Sequence, residues 1–361
     1  MRGRSRLVRS LLLTAFGLVP AVSPIKVRAE LPPPHPDATP SLVCYVLDSR
    51  SLGPGMSPRP EVVARMVSAV VCGVTGKTDV SSAWRSLIHP GDRVGIKVST
   101  QPGPVGGTHP AVAKAIVDGL IEAGIPSRNI VVWDRRREDL VSCGYDSVPG
   151  LNLRWVEGGG GFDPRAIVTA PAIGKLVYGD LSFKESRTFD DLLGPKSQLS
   201  EESHLPVLLS RDIDKVINVP SLCDSFFTGV HGAMASMTIG TLDNWRRFGR
   251  GEGYGDSALA GVYGEERLGG KVVLTILDGT VIQYAGGPYP SPVNCAASGT
   301  IFASRDPVAI DATALRLLDE QRLLSRMPKA SDDGGHVEEA ASRGLGNASE
   351  KEIRLRRIGG G

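Results

Sequence analysis

The apolar positions between residues 91 and 134 follow two different periods, and each period predicts its own element. Residues 91–100 (GDRVGIKVST) alternate apolar and polar positions and are rich in β-branched side chains, which is typical of a buried strand. Residues 101–107 (QPGPVGG) have the composition of a turn. Residues 110–124 begin with proline, end with glycine and carry an apolar helical face formed by Val112, Ile116, Leu120 and Ala123. Residues 129–134 (NIVVWD) complete a strand–helix–strand unit, for which parallel pairing of the strands is predicted.

The same two periods alternate along the rest of the chain. Strands are predicted at 43–48, 153–157, 215–220, 271–278 and 300–304 and from 353, and helices at 60–76, 135–145, 307–322 and in part of 229–248, with a hairpin around 175–183. This alternation indicates an α/β fold: a mostly parallel sheet flanked by helices in a single main domain. We assign that domain to residues 60–361, preceded by an extended, proline-rich lead-in at residues 30–59.

The first 29 residues differ in composition from the remainder. They contain six basic residues and no acidic one, so removing them changes the formal net charge from +2 to −4. An apolar stretch (LLLTAFGLVPAV) follows the basic start and small residues precede Glu30, as in a signal peptide for Sec-type export. The stretch is shorter than the roughly 20 residues that span a bilayer. We therefore expect an exported protein, periplasmic or extracellular, with no transmembrane anchor; an uncleaved N-terminus is the alternative.

Charge and cysteine content exclude several classes of function. A mildly acidic body gives no reason to expect nucleic acid as a partner. The five cysteines are scattered without a CxxC pair, which excludes the usual zinc-ribbon and ferredoxin spacings, and they are Cys44, Cys72, Cys143, Cys223 and Cys295. We expect no cofactor, and most of these thiols to be buried as small apolar side chains. The sequence specifies no oligomeric state.

Seven stretches resemble, in the same order, one bacterial family, the domain of unknown function 362. They are residues 83–98, 106–125, 129–145, 215–220, 239–248, 277–288 and 304–319. The resemblance extends over nearly the whole chain after the leader and implies an exported, single-domain α/β protein. It implies no particular activity, because the family has no generally assigned function. Some members carry an iron–sulfur insert, which we do not expect here because the cysteines form no cluster.

The chain departs from the family pattern at several polar positions. The family usually has Asn at the position of Ser99, Val-Leu-Lys-Asp-His after the KVINVP strand, and Leu-Lys-Asn at residues 234–236. Here the second segment reads Ser-Leu-Cys-Asp-Ser, with Cys223 and Ser225 replacing the lysine and the histidine, and the third reads Met-Ala-Ser, with Ala235 and Ser236 at the lysine and the asparagine. The resemblance therefore implies a site that has changed or been lost.

The glycine-rich loop before the helix at Pro110 is the first candidate for a ligand site. Free backbone N–H groups and the helix dipole favour an anion there, and Lys97 on the preceding strand would add a positive charge. We predict that a small anionic ligand contacts Lys97, Gly106, Gly107, Thr108 and His109. Prolines remove some of the donors and no Walker or GxGxxG pattern is present, so a plain turn is the alternative.

Polar side chains at other strand and loop ends extend this candidate site. His109, Asp134, His231 and Asp278 follow elements whose ends meet at one edge of a parallel sheet. Imidazole and carboxylate groups together suit acid–base chemistry, or, as a less favoured hypothesis, a divalent metal. The alternative is that His109 and Asp134 are capping or turn residues, since their spacing along the chain is long.

A second polar cluster lies beside Trp245. Asn244 and Arg247 belong to it, and an arginine beside a cleft binds carboxylate or phosphate through two hydrogen bonds. A solvated helix end explains the cluster equally well. Asp306, which precedes Pro307, is interpreted as a helix N-cap.

Two functions remain open on the sequence alone. In the first, the protein binds a small anionic molecule at the loop after Lys97 and is an enzyme of unassigned reaction. In the second, it is a non-catalytic binding or scaffold relative whose polar site has eroded. The first predicts Lys97, His109, Asp134 and His231 in one pocket, whereas the second predicts apolar side chains in that space.

Overall fold

The computed structural model describes residues 40–168, 203–245 and 255–359 of the chain. The predicted leader, most of the proline-rich segment, the hairpin around 175–183 and Arg247 lie outside these residues. The strands are β1 (Ser41–Leu47), β2 (Val94–Val98), β3 (Ile130–Arg136), β4 (Leu153–Glu157), β5 (Phe162–Val168), β6 (Ser203–Pro206), β7 (Lys215–Val219), β8 (Ser221–Ser225), β9 (Gly229–Val230), β10 (Val272–Gln283), β11 (Cys295–Ser304) and β12 (Ile353–Arg357).

Helices alternate with these strands over most of the described chain. They are α1 (Pro60–Thr75), α2 (Val80–Arg85), α3 (Gly103–Gly106), α4 (Pro110–Glu122), α5 (Arg137–Ser142), α6 (Ala233–Met237), α7 (Gly255–Tyr263), α8 (Pro307–Leu324) and α9 (Gly335–Ser342). Asp306 caps α8 as predicted, since its carboxylate accepts from the N–H groups of Val308 and Ala309. None of the helices within the described residues combines the length and apolar character needed to cross a membrane.

One large sheet holds most of the strands. Their order is β12-β1-β11-β10-β7-β2-β3-β4, with β8 beside the second half of β10 and β9 beside β8; β5 and β6 form a separate pair. The central strands β10, β7, β2, β3 and β4 are parallel, whereas β11 runs antiparallel to both of its neighbours. The predicted α/β fold with a mostly parallel sheet is confirmed, including the parallel pairing of β2 with β3 across α4.

The strand predicted at residues 43–48 forms part of the large sheet, although the sequence assigns these residues to the lead-in. β1 lies between β11 and β12, and its Val43 and Cys44 side chains are fully buried. It therefore belongs to the α/β unit, and a boundary at residue 60 is placed too late. The reason is the pattern VCYVL, in which the strand signal is short but its inward-facing positions complete the core.

The two faces of the sheet pack against different helices. Along β2, Val94, Ile96 and Val98 point into a core that includes the buried faces of α1 and α4. Lys97 alternates with these side chains and therefore lies on the opposite face, which is covered by α6, α7, α8 and α9. The polar residue of this strand thus faces away from the helix that follows it.

The connections from β2 and β7 leave the sheet in opposite directions. From β2 the chain passes through α4 to β3 on one side, whereas from β7 it continues to β8, which pairs with β10 on the other side. Such a switch in direction opens a crevice at the carboxyl ends of the two strands, and ligands of open α/β sheets bind in crevices of this kind. The topology therefore directs attention to the residues that follow β2, β3 and β7.

Candidate functional site

A cleft of about 190 Å³ opens at the carboxyl ends of β2, β3 and β4. Lys97 and Ser99 come from the β2 edge, Asp134 from β3 and Glu157 from the end of β4. The remaining lining residues are Gln101, Arg135, Arg136, Asp139, Phe227, His231, Ile239, Gly240, Trp245, Pro288 and Tyr289. Drug-sized ligands occupy pockets of about 300–1,000 Å³, so this cleft suits a smaller molecule.

A buried ion pair forms the inner end of the cleft. The Lys97 ammonium donates to Asp134 Oδ1 at 2.7 Å and to the Val98 carbonyl oxygen at 2.7 Å, and only 1% of the lysine side chain is exposed. Its nitrogen also lies 5.5 Å from the centre of the Trp133 ring. An ammonium has three N–H donors, of which these two acceptors use two. One donor of a buried cation therefore remains for a group that enters the cleft.

The Asp134 carboxylate, by contrast, is fully engaged. Its Oδ1 accepts from Lys97 and from the Arg135 N–H, and its Oδ2 accepts from the Thr100 N–H at 2.8 Å and the Thr100 hydroxyl at 2.6 Å. Burial alone would raise the pKa of Asp134, but the Lys97 charge and these hydrogen bonds outweigh it and lower the pKa. Asp134 therefore stays ionised and holds Lys97 in place, with no acceptor position left over.

His231 borders the same inner end as a neutral imidazole. Burial, followed by the nearby Lys97 charge, lowers its pKa to about 4, against a smaller opposing effect of Asp134. Its backbone N–H donates to the Cys223 carbonyl oxygen at 2.9 Å, whereas its Nδ1 atom is buried without a hydrogen-bond partner. Buried polar nitrogens of this kind are rare in folded proteins, so His231 has hydrogen-bonding capacity that the protein itself does not use.

Ser99 connects the cleft to the helix layer behind it. Its hydroxyl donates to Ser236 Oγ at 3.1 Å, and Ser236 in turn donates to Asn218 Oδ1 at 3.0 Å. Asn218 closes the chain of hydrogen bonds by donating to the Ala233 carbonyl oxygen at 2.8 Å. Two of the positions that depart from the family pattern, Ser99 and Ser236, therefore bond to each other.

The walls of the cleft carry charges that are already paired. Arg135 donates to Glu157, and the Arg136 guanidinium lies 3.1 Å from the Asp139 carboxylate. Burial lowers the pKa of Arg135 and raises that of Asp139. Together with Lys97 and Asp134 these residues give the lining three positive and three negative charges.

Three aromatic rings line the cleft, those of Phe227, Trp245 and Tyr289, and a fourth, Phe226, packs against two of them. Phe227 meets Trp245 edge-on at 5.2 Å between ring centres and lies 4.0 Å from Phe226, which stacks on Tyr289 at 5.9 Å. The pattern of the sequence did not single these rings out as part of a site. The adjacent pair Phe226 and Phe227, placed directly after β8, is the signal that could have done so.

The glycine-rich loop uses its own donors inside the protein. The N–H groups of Gly103, Gly107 and Thr108 donate to the carbonyl oxygens of Thr100, Gly103 and Ser99. A Cβ atom at Gly106 would lie 2.3 Å from the Gln283 amide oxygen, and one at Gly107 would lie 2.7 Å from a backbone carbonyl. These glycines permit close packing, and the arrangement does not favour the predicted anion at the loop.

The two residues that follow the loop are also bound internally. Thr108 Oγ1 donates to the Val219 carbonyl oxygen at 2.6 Å and accepts from the Ser99 N–H, so it fastens β2 to β7. The His109 N–H and Nδ1 atoms both lie 2.9 Å from Asp278 Oδ2. A carboxylate of the protein itself therefore occupies the position at the start of α4 that we expected for a ligand.

The predicted site residues thus separate into two groups. Lys97, Asp134 and His231 line one cleft, whereas His109 is not among the lining residues and contacts Asp278 instead. Asn244 is buried next to Trp245, with a left-handed backbone at φ 46°. No group of three or more His, Cys, Asp or Glu side chains within the described ranges is arranged to hold a metal ion.

The other departures from the family pattern lie away from the cleft. Cys223, Met234 and Ala235 are fully buried, and Met234 and Ala235 belong to the apolar core between the sheet and α8. Burial raises the pKa of the Cys223 thiol well above its ordinary value. These side chains do not fill the cleft, which remains open.

Comparison with known proteins supports the family resemblance. The model of the family described as "Domain of unknown function (DUF362)" matches residues 178–316, and this match supports the assignment of the chain to that family. A crystal structure of a protein from Thermotoga maritima, a structural genomics target, is similar at 14% sequence identity with a TM-score of 0.38. That similarity covers 75% of this chain and 60% of the other, so this chain spans less than two thirds of its length. No curated protein matches the chain.

Proposed function

We propose that the protein binds a small molecule through an anionic group at the inner end of the cleft, next to Lys97. The observation that carries the proposal is the buried Lys97–Asp134 pair, in which the acid has no spare acceptor position and the cation has one spare donor. Hydrogen bonds from a buried ammonium to an anionic group are shorter and stronger than those between neutral groups. We therefore place the ligand in the cleft that follows β2 and not at the glycine-rich loop.

His231 gives this site a second contact. As a neutral imidazole it either accepts or donates one hydrogen bond at Nδ1, depending on its tautomer. An anion held by Lys97 would favour the protonated form of the ring. His231 is therefore the residue through which we expect proton transfer if the protein is an enzyme.

A non-catalytic binding protein is the second candidate. It is favoured by the positions where the family has lysine and the chain has Cys223 or Ala235, both of which are fully buried. Their replacement removes cations without closing the cleft, which is compatible with ligand binding and does not require turnover. Both candidates place the ligand beside Lys97.

Calorimetric titration with acetate and inorganic phosphate tests the binding site. Replacing Lys97 alone would leave Asp134 charged and unpaired in the interior, so the test variant is Lys97→Met with Asp134→Asn, which removes both charges together. The matched control is Lys114→Met with Asp118→Asn, the same change in an exposed pair on α4. We expect wild type and control to bind at least one anion, and the cleft variant to lose about tenfold or more in affinity.

Circular dichroism and a denaturant titration show whether the cleft variant is folded. A folded cleft variant that binds as tightly as the control would contradict the proposal. If wild type itself binds no carboxylate and no phosphate at millimolar concentration, the unused Lys97 donor does not mark a site for an anionic group and the proposal fails as well.

Export by the leader at residues 1–29 is a separate proposal. It is supported by the basic start, the apolar stretch and the small residues before Glu30. Expression of the full chain in a bacterium with two membranes, followed by intact-mass measurement of the periplasmic fraction, tests it. We expect a mature protein that begins at Glu30; a full-length protein confined to the cytoplasm would contradict export.

A further inference from the structure

Aromatic side chains are scarce in this chain but concentrated at the cleft. They make up 5% of the residues, yet three rings from three separate segments line it and Phe226 packs against two of these. Phe226 and Tyr289 keep 49% and 45% of their surface exposed. These two rings stack on each other, and neighbouring exposed apolar side chains beside a cavity are typical of a ligand-binding surface.

The segment that carries Tyr289 is fastened from both sides. Asp224 accepts from the Gly287 N–H at 2.8 Å and from the Arg322 guanidinium at 2.9 Å, while Arg322 also donates to the Tyr284 carbonyl oxygen. On the other side the Gln283 amide donates to the Tyr289 carbonyl oxygen at 2.8 Å. The Tyr289 part of the aromatic wall is therefore in place before any ligand arrives, which lowers the entropic cost of binding.

The charges of the lining restrict what these rings can hold. Aromatic faces attract cations as well as other rings. Here, however, the Arg135 guanidinium already lies 6.0 Å from the centre of the Trp245 ring, and Arg136 also lines the wall. Arg135 and Arg136 are paired with Glu157 and Asp139, so the choice of charge is made at the inner end. A cationic group there would face the spare donor of Lys97 and find no free acceptor on Asp134, whereas an anionic group would accept from that donor.

From this geometry we infer that the ligand is an aromatic carboxylate: a single ring that packs among Phe227, Trp245 and Tyr289, with its carboxylate beside Lys97. The inference rests on the proposed function and adds the chemical class of the ligand. The volume of about 190 Å³ accommodates one ring with its carboxylate and excludes nucleotides and other molecules of drug size. The Lys97 donor and His231 Nδ1 then contact the carboxylate at the inner end.

Four probes that differ in ring, carboxylate or charge test the chemical class of the ligand separately from the ability to bind an anion. Benzoate has the ring and the carboxylate, acetate has the carboxylate alone, benzyl alcohol has the ring alone, and benzylamine has the ring with a positive charge. We expect calorimetry to give an affinity for benzoate at least about tenfold above that for acetate, and weaker binding still for the other two.

Variants at the mouth of the cleft test whether the ring of the ligand contacts the aromatic side chains named above. Tyr289→Ala is expected to weaken benzoate binding about threefold to tenfold while leaving acetate binding unchanged, and Tyr289→Phe, which keeps the ring, to restore it. Leu324→Ala, at a side chain that is 79% exposed and outside the cleft, is the control and should bind benzoate like wild type. Because Tyr289 is half exposed, its replacement leaves the fold intact.

The outcomes are distinguishable. Equal affinity for acetate and benzoate would overturn the aromatic class and leave the proposed function standing. Stronger binding of benzylamine than of benzoate would overturn the inference in favour of a cationic ligand. Failure of every carboxylate, with wild type shown to be folded, would overturn both the inference and the proposed function.

Discussion

Two buried carboxylates on strands of the large sheet are built alike in this protein, yet only one lies beside a cleft. Asp134 accepts from the N–H and hydroxyl of Thr100, and Asp278 accepts from the N–H and hydroxyl of Thr280. Each accepts in addition from one basic side chain, which is Lys97 for Asp134 and His109 for Asp278. We refer to these as the open cluster (Lys97, Asp134, His231) and the closed cluster (His109, Asp278, Thr280).

The difference lies in the basic partner and not in the acid. Both carboxylates have their acceptor positions filled by the protein, and in both the basic partner outweighs the effect of burial and lowers the pKa. His109 is fixed by its ring and its backbone to the same oxygen and does not line the cleft. Lys97 keeps a donor free and lines the cleft, whereas the Nε2 atom of His109, also without a hydrogen-bond partner, is buried away from it. A saturated acid therefore marks a site only when the spare capacity of its basic partner faces a cleft.

The largest effect that separates the clusters is expected from Asp278→Ala. The change removes the acceptor of hydrogen bonds from both His109 and Thr280 in a fully buried place, so we expect the free energy of unfolding to fall by about 3–5 kcal/mol. Urea denaturation of the variant at neutral pH measures this loss. Asp118→Ala, at an exposed pair, serves as control with a loss below about 1 kcal/mol. A loss at Asp278 no larger than that of the control would show that the closed cluster is not structural.

Gly107→Ala tests whether the glycine-rich loop is packing or a binding surface. The new Cβ would lie 2.7 Å from the Gly103 carbonyl oxygen and 3.0 Å from that of Ser99. Both are backbone atoms, so relieving the clash requires the main chain to shift, which costs stability. We expect a loss of about 1–3 kcal/mol in unfolding free energy with anion affinity unchanged. Gly91→Ala, with open space around the added atom, should cost less. Lower anion affinity at unchanged stability would return the ligand site to the loop.

His231 gives the open cluster a distinct pH dependence. Its folded pKa of about 4 lies below the ordinary 6.5, so the unfolded state binds a proton first and stability falls as the pH drops from about 6.5 towards 4. Between about pH 8 and pH 5 this group should reduce the unfolding free energy by about 2 kcal/mol. Denaturation of wild type and of His231→Gln at both values isolates the effect. The same pH dependence in both proteins would mean that His231 is not held neutral.

Glu157→Gln is expected to have the smallest effect, and it tests the open cluster through its affinity for an anion. The change removes one negative charge from the lining and releases the Arg135 guanidinium from its ion pair. Since Glu157 is about one third exposed, we expect a stability change below about 1 kcal/mol. Affinity for acetate should rise by roughly fivefold or less, as measured by calorimetry. Weaker binding would show that Glu157 itself holds the ligand.

Much of the fold was predictable, because local pattern specifies it. The proline at the start of α4, its apolar face and the β-branched runs on either side determine the β2–α4–β3 unit, and its elements lie within a few residues of the predicted positions. β1 shows the limit of such reasoning, since a seven-residue strand among prolines becomes recognisable as part of the sheet only through its pairing with β11 and β12.

The candidate site was predictable only in part. Lys97, Asp134 and His231 were singled out because they end strands or loops, and the sheet topology brings them together. The same reasoning selected His109, since no local signal shows that Asp278, 169 positions away along the chain, takes up its ring. Phe227 and Tyr289 lie on separate segments that only the tertiary fold brings to one cleft, so beyond the adjacent pair Phe226 and Phe227 the sequence carries no indication of its aromatic lining.

Nitrogen NMR of the imidazole rings tests the contrast between the clusters most directly. The protein has six histidines, so selective ¹⁵N labelling gives few signals, and the variants His231→Gln and His109→Gln assign the two that matter. On titration with benzoate we predict that the His231 signals move in a saturable way while those of His109 stay in place. Movement of the His109 signals alone, or of neither, would contradict the assignment of the open cluster as the ligand site.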